Sequence, residues 1–276
     1  MPRTAAAVVR RAVESCVERL LAAEPLIAAD RPLPGGDTPV HAARVACRRL
    51  RSDLRTFRRL LDRAWTGRLR AELTWLADLL GAARDAEVLR ARLRRTAGDL
   101  DPEAVAPLDA ALAERAASAR RDLAEALGGE RYRRLVAALT VAAQDLPFRP
   151  RAARPAREVL PGLVKRPWRR LSKAAAALTP DATDEQWHTV RILAKRARYA
   201  AEAAAGTVPG ARRRARRLAA VQEVLGEHQD AILAQRTWLE LAETAPLTAG
   251  RLIERELAAA RRARAAFPAA WRNGGH

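Results

Sequence analysis

The chain has 276 residues, 49% hydrophobic but only 4% aromatic, with 51 Lys and Arg against 32 Asp and Glu, a formal net charge of +19. Its apolar content, largely alanine and leucine, is enough for a sizeable core and favours packed helices over sheets, while its charge attracts polyanions such as nucleic acid, acidic membrane or polyphosphate. No apolar run reaches the roughly 18 residues of a membrane span, and Cys16 and Cys47 make no disulfide framework, so with no signal-peptide pattern a reducing cytoplasm is expected.

In chain order, helical periodicity punctuated by proline and glycine predicts segments near 4–29, 38–63, 66–98 and 102–143, the last broken at Gly128-Gly129. After a linker at Pro147–Pro155 the pattern resumes near 156–178, 184–205, 210–243 and 246–267. Pro32-Leu33-Pro34-Gly35-Gly36, Thr179-Pro180 and Val208-Pro209-Gly210 are further breaks. Helix starts are expected at Asp37-Thr38-Pro39, Thr66, Asp101-Pro102 and Thr183-Asp184-Glu185, where side-chain oxygens can cap free amides. No alternating strand pattern stands out.

The chain repeats itself. His41-Ala-Ala-Arg44-Val45-Ala-Cys-Arg48-Arg49-Leu-Arg51 matches His188-Thr-Val-Arg191-Ile192-Leu-Ala-Lys195-Arg196-Ala-Arg198 without a gap. Further on, Leu80-Gly81-Ala-Ala-Arg84-Asp85 matches Leu225-Gly226-Glu-His-Gln229-Asp230 at nearly the same separation. Two matched motifs in one order predict two homologous halves, 1–146 and 150–276, within a single domain. An all-α architecture of two pseudo-twofold-related four-helix bundles is the simplest that follows.

The charge is concentrated in these halves. The windows His41–Arg70 and His188–Arg217 each carry a net +8, which leaves only +3 for the remaining 216 residues. At 100° per residue, His41, Arg44, Arg48, Arg51, Arg55 and Arg58 fall within about 100° of arc, beside an apolar face of Leu50, Leu54, Phe57 and Leu61. His188, Arg191, Lys195 and Arg198 repeat the stripe, which ends at Glu202 where the first half has Arg55. Arg44–Arg48, Arg51–Arg55 and Arg191–Lys195 are like-charged pairs at four-residue spacing, each costing a few tenths of a kcal/mol. An anion reverses that cost, and guanidinium forks suit phosphate oxygens. Arg68 and Arg213, matched at the start of the following helices, are candidate additional donors, as is Arg84. Asp85 and Asp230 are expected to aim arginines across the bundle. Gly81 and Gly226 are expected at close helix contacts, and Trp75, Trp168, Trp187 and Trp238 in the core. The flanking arginines make His41 and His188 poor metal ligands, and no metal or cofactor is expected.

These residues resemble the CHAD family, the conserved histidine α-helical domain. The carriers are His41-x-x-Arg44-Val45-x-x-Arg48-Arg49-Leu50-Arg51 with Leu80-Gly81-x-x-Arg84-Asp85, and His188-x-x-Arg191-Ile192-x-x-Lys195-Arg196-x-Arg198-Tyr199 with Gln222-x-x-Leu225-Gly226-x-x-Gln229-Asp230. The resemblance implies two four-helix bundles around a basic central cavity that binds inorganic polyphosphate, with some members associated with polyphosphate granules and the proteins on them. Other members are fused to a triphosphatase with a Glu-x-Glu-x-Lys motif. That motif is absent here, so hydrolysis does not carry over. Ala197 and Trp187 depart from the family pattern, in place of a leucine and an aliphatic residue.

The sequence-based expectation is therefore a non-enzymatic polyphosphate binder using His41, Arg44, Arg48, Arg51, Arg55, Arg68, Arg84, His188, Arg191, Lys195, Arg198 and Arg213. Nucleic-acid binding is the alternative. The scarcity of aromatics for base stacking and the lack of a nucleic-acid-binding motif count against it. Phosphatase or phosphotransferase chemistry would need clustered carboxylates or a phosphate-cradling glycine loop, and neither is present in the sequence.

Overall fold

The computed structural model describes residues 3–29, 31, 38–179 and 181–275. The predicted break at Pro32–Gly36, the Asp37 cap and Pro180 lie outside them. Among the described residues the chain is all-α, as α1 (Ala5–Ala28), α2 (Pro39–Thr56), α3 (Arg63–Thr96), α4 (Pro102–Gly128), α5 (Glu130–Gln144), a 3-10 turn (Pro150–Ala153), α6 (Ala156–Ala176), α7 (Asp184–Ala203), α8 (Ala211–Glu240) and α9 (Pro246–Gly275).

The starts follow the local chemistry. Thr38 Oγ accepts from the His41 amide at 3.2 Å, ahead of Pro39 in the first turn of α2. Thr183 and Gln186 form a reciprocal capping box on α7, at 3.3 and 2.8 Å. Asp101 accepts from the Glu103 amide at the start of α4. Gly210, at φ 76°, supplies the left-handed residue needed to enter α8.

The α2–α3 junction differs from expectation. Helix α2 stops at Thr56 rather than near 63, and the chain turns there through Phe57, Leu60 and Leu61, all fully buried, with the Leu60 amide donating to the Phe57 carbonyl at 2.7 Å. Helix α3 begins at Arg63, capped by Asp62, whose carboxylate accepts from the Trp65 amide at 2.8 Å. Thr66, expected as the cap, lies inside the first turn and donates its hydroxyl to the Asp62 carbonyl. The predicted linker is not slack. The Asp62 amide donates to the Pro147 carbonyl and the Arg149 amide to that of Leu60, both at 2.9 Å, and the Ala156 amide donates to the Arg3 carbonyl at 2.8 Å. Helix α9 also runs beyond 267, with Pro268 inside it.

The chain forms two compact units that interleave along the sequence. The first holds residues 1–85, 117–165 and 202–209, and the second holds 86–116, 166–201 and 210–276. In the first, α1 packs on α2 and α5, and Val9, Val13, Leu50, Leu54, Phe57, Leu73 and Leu139 are excluded from water. Each such side chain contributes about 1.5–3 kcal/mol by burial. In the second, α8 packs on α9. One apolar cluster there gathers Leu93, Leu108, Leu112, Trp238 and Leu252, and another gathers Leu171, Trp187, Leu218 and Phe267.

Candidate anion-binding site

In the first unit, α2 turns Leu50 and Leu54 into the core and leaves His41, Arg44, Arg48, Arg51 and Arg55 half-buried on the adjacent face. Half-burial strips water from the arginine stems along this face. Arg44 is aimed by Asp85, with Nη1 to Oδ1 at 2.8 Å. That is the arginine–aspartate pairing across helices expected from the repeat. A Cβ built on Gly81 would stand 4.0 Å from the Arg44 guanidinium, so this glycine lies beneath an arginine head rather than at a tight helix–helix contact. At Gly226 a Cβ would meet nothing within 4 Å, and close packing does not account for that glycine.

The stripe extends beyond α2 through a residue that the sequence places with Arg68 at the start of the next helix, and that the expected site omits in favour of Arg68. Arg70 falls within about 60° of Gly81 and Asp85 around α3, so it shares their face. Its Nε is buried with no hydrogen-bond partner among the described residues. Burial first, then Arg55, Arg51 and Arg58, pull its guanidinium pKa below the ordinary value. Arg58, Arg63, Thr66, Gly67 and Arg70 line a cleft of about 310 Å³ here. Three like charges acting on a partly desolvated fourth form an arrangement that an anion would relieve. Arg68 does not join it. It lies 200° around α3 from Arg70 and lines a separate groove of about 460 Å³ with Trp65, Glu72, Arg131 and Arg134. Arg84 is half-buried on the Arg70 side of α3.

Behind the stripe, on the core side of α2, Asp53 is completely buried. The Cys16 thiol reaches one of its oxygens at 3.9 Å, and the other has no hydrogen-bond partner among the described residues. Burial lifts its pKa to about 7, against the opposing pull of Arg49. Arg49 is in turn bound to Glu202 at 2.8 Å. Thus Glu202, the repeat counterpart of Arg55, belongs to the first unit and does not prolong the second stripe.

In the second unit, α7 carries His188, Arg191, Lys195 and Arg198, again half-buried. His188 Nδ1 sits 2.6 Å from Gln229 Oε1, which as an acceptor fixes the ring proton on Nδ1. Arg198 donates to Gln222 Oε1 at 3.0 Å. Asp230 is raised by burial and opposed by Arg191, Arg92 and Lys195, so this stripe has a carboxylate within electrostatic reach. Arg213 is exposed and lies half a turn around α8 from Gln222, away from the side that meets α7. Of the tryptophans expected in the core, Trp187 and Trp238 are buried. Trp75 and Trp168 are half-buried beneath Arg131 and Arg214, at 4.4 and 4.9 Å. Among the described residues no three His, Cys, Asp or Glu side chains gather as a metal site, and no helix is long and apolar enough to cross a membrane.

A sequence model of the CHAD domain matches residues 11–240. Two curated relatives from Mycobacterium tuberculosis, Uncharacterized protein Rv2226 (strain H37Rv) and Uncharacterized protein MT2285 (strain CDC 1551), are 33% and 32% identical over 98% of this chain. The chain spans about half of their length, 54% of each. Among solved structures, PptA from Streptomyces chartreusis superposes with a TM-score of 0.80 at 27% identity, covering 99% of this chain and 100% of that one. The crystal structure of the CHAD domain from the plant Ricinus communis gives 0.76 at 28% identity, covering 99% and 92%.

Proposed function

Because the chain belongs to the CHAD domain family, we propose that it binds inorganic polyphosphate without transforming it. In this reading His41, Arg44, Arg48, Arg51 and Arg55 of α2, extended by Arg58 and Arg70, hold one stretch of the polymer. His188, Arg191, Lys195 and Arg198 of α7 hold another. The observation that carries the reading is Arg70, half-buried, with no acceptor for its Nε among the described residues and three arginines acting on it. A strand bearing charge on every phosphate would offset the repulsion acting on Arg70, each charge-assisted contact contributing about 1.5–3 kcal/mol. Binding to a granule-associated polymer in the cytoplasm, near other granule proteins, would follow from the same contacts.

The test is titration with long-chain polyphosphate at two salt concentrations, with DNA of matched charge as competitor. Wild-type protein should bind, weaken as salt rises, and keep its polyphosphate against DNA. Replacing Arg44, Arg48, Arg191 and Lys195 together with alanine should greatly weaken binding while helicity is retained. Unchanged affinity in that variant, or easy displacement by DNA, would overturn the reading. Phosphate released on incubation with magnesium would overturn the non-enzymatic part alone.

A further inference from the structure

The geometry points to a second anion site in the first unit, separate from the α2 stripe, that takes a di- or triphosphate group. A pocket of about 280 Å³ is lined by Arg3, Arg11, Ser15, Arg19, Arg49 and Glu202. Arg11, Ser15 and Arg19 follow one another at four-residue spacing along one face of α1. Arg49 comes from α2, Glu202 from the end of α7 and Arg3 from the residues before α1, so three helices and the segment leading into the first supply the charged side chains. Around α2, Arg49 stands about 100° from Arg48 and 140° from Arg44, which turns it away from the stripe.

The pocket holds four guanidinium groups and one carboxylate, and that carboxylate is already engaged by Arg49 at 2.8 Å. A ligand with about three negative charges would balance what remains. Two of the four arginines are already positioned. Arg19 is folded back on its own helix, its Nε donating to the Ser15 carbonyl and its Nη2 to the Ser15 hydroxyl, both at 2.8 Å. Arg49 is gripped by Glu202 and sits within the field of the buried Asp53. Forks fixed before binding lose less freedom when a phosphate arrives.

Size and lining narrow the ligand. The volume lies at the small end of ligand pockets, roughly 300–1,000 Å³, so it fits a short phosphate rather than a polymer. Its other walls are small, including Ala12, Ala203 and Gly206, and a Cβ built at Gly206 meets nothing within 4 Å. Among the described residues no aromatic side chain lines it to stack a base. Recognition therefore falls on the phosphates, whether free or carried on a nucleoside, with the Ser15 and Thr207 hydroxyls as added partners.

The experiment is calorimetric titration of the whole chain with pyrophosphate, triphosphate, ATP and adenosine, using wild type, R11A/R19A and R51A/R55A. Arg11 and Arg19 are exposed, so their removal leaves the core intact, and circular dichroism verifies this. Triphosphate should lose at least tenfold in affinity in R11A/R19A and less than threefold in R51A/R55A, while long-chain polyphosphate shows the reverse. R3A should give a smaller loss of the same sign. Equal affinities for ATP and triphosphate would identify the free anion as a sufficient ligand, and tighter ATP binding would identify a nucleotide, both within the proposal. Absence of triphosphate binding, or a loss confined to R51A/R55A, would overturn it. Neither result bears on whether long polyphosphate binds the stripe, which the polymer titration reads on its own.

Discussion

Replacing Arg70 with methionine should make the unliganded protein more stable and a worse polyphosphate binder. Methionine keeps the length of the buried stem and removes the charge and the donor. A buried donor without an acceptor costs about 1–3 kcal/mol, and each of the three like-charge contacts from Arg51, Arg55 and Arg58 adds a few tenths. After allowance for partial exposure, a gain of about 1 kcal/mol is expected, or about 2–4 °C in Tm. Thermal unfolding by circular dichroism reads it, and the gain should shrink as salt screens the cluster. In polyphosphate titrations the same variant loses one charge-assisted contact, about 1.5–3 kcal/mol, so affinity should fall by roughly ten- to a hundredfold. Arg68→Met, on the other side of α3, is the control and should bind almost as wild type. If Arg70→Met lowers Tm and binds polyphosphate unchanged, Arg70 is an ordinary structural arginine and the reasoning fails.

Other consequences follow from the buried charges. Burial raises the folded-state pKa of Asp53 from 3.8 to about 7, so between those values the folded protein holds a proton that the unfolded chain has released. Stability should therefore fall as pH rises through that window, by up to about 4 kcal/mol, and Asp53→Asn should flatten the slope measured in urea melts at pH 5 and 8. Glu256 is buried against Arg92, whose Nε lies 2.8 and 2.9 Å from its two oxygens. Glu256→Gln should cost about 3 kcal/mol in urea unfolding, the low end for a broken buried pair because Glu227 still holds Arg92. Cys16 and Cys47 are both buried, with pKa values pushed up to about 12 chiefly by that burial. Maleimide should label neither at neutral pH until denaturant is added.

Much of this was legible in the sequence because the signals were local or periodic. The stripe on α2 follows from 3.6-residue geometry alone, and a pairing of Asp85 with an arginine across helices from two motifs recurring in one order, while its partner Arg44 is seen only in the structure. Position in space beyond the single helix was harder to read. Arg68 and Arg70 differ by two residues, which on a helix is 200°, and only the face shared with Gly81 and Asp85 separates the one that joins the stripe from the one that does not. That angular test was available from the sequence. Asp53 was not singled out in the basic run, yet it lies within 40–100° of Leu50, Leu54 and Phe57 around α2, on the core side. The end of α2 at Thr56 was not legible, because Phe57, Leu60 and Leu61 fall on one helical face and suit a continued helix as well as the buried turn that forms. The interleaving of the two units could not be read from the repeat, because a repeat marks similar segments and says nothing of where α3 passes from one unit to the other.

The two halves also differ in a way that decides where an anion is most needed. Carried through the repeat, Arg55, Arg58 and Arg70 correspond to Glu202, Ala205 and Ala215. Of the four arginines in the first unit's cluster, only Arg51 keeps its charge in the second, as Arg198, and the other three have lost or reversed theirs. There, Asp230 stands within reach of Arg191 and Lys195, whereas the strongest charges acting on Arg70 are all positive. Like-charge repulsion in a half-buried site grows as water is excluded, and so does the attraction for a phosphate that enters it. The first unit's stripe therefore has both the larger strain to relieve and the larger return from relieving it. The second, already part-neutralised, is built to hold its side chains in place whether or not an anion is present.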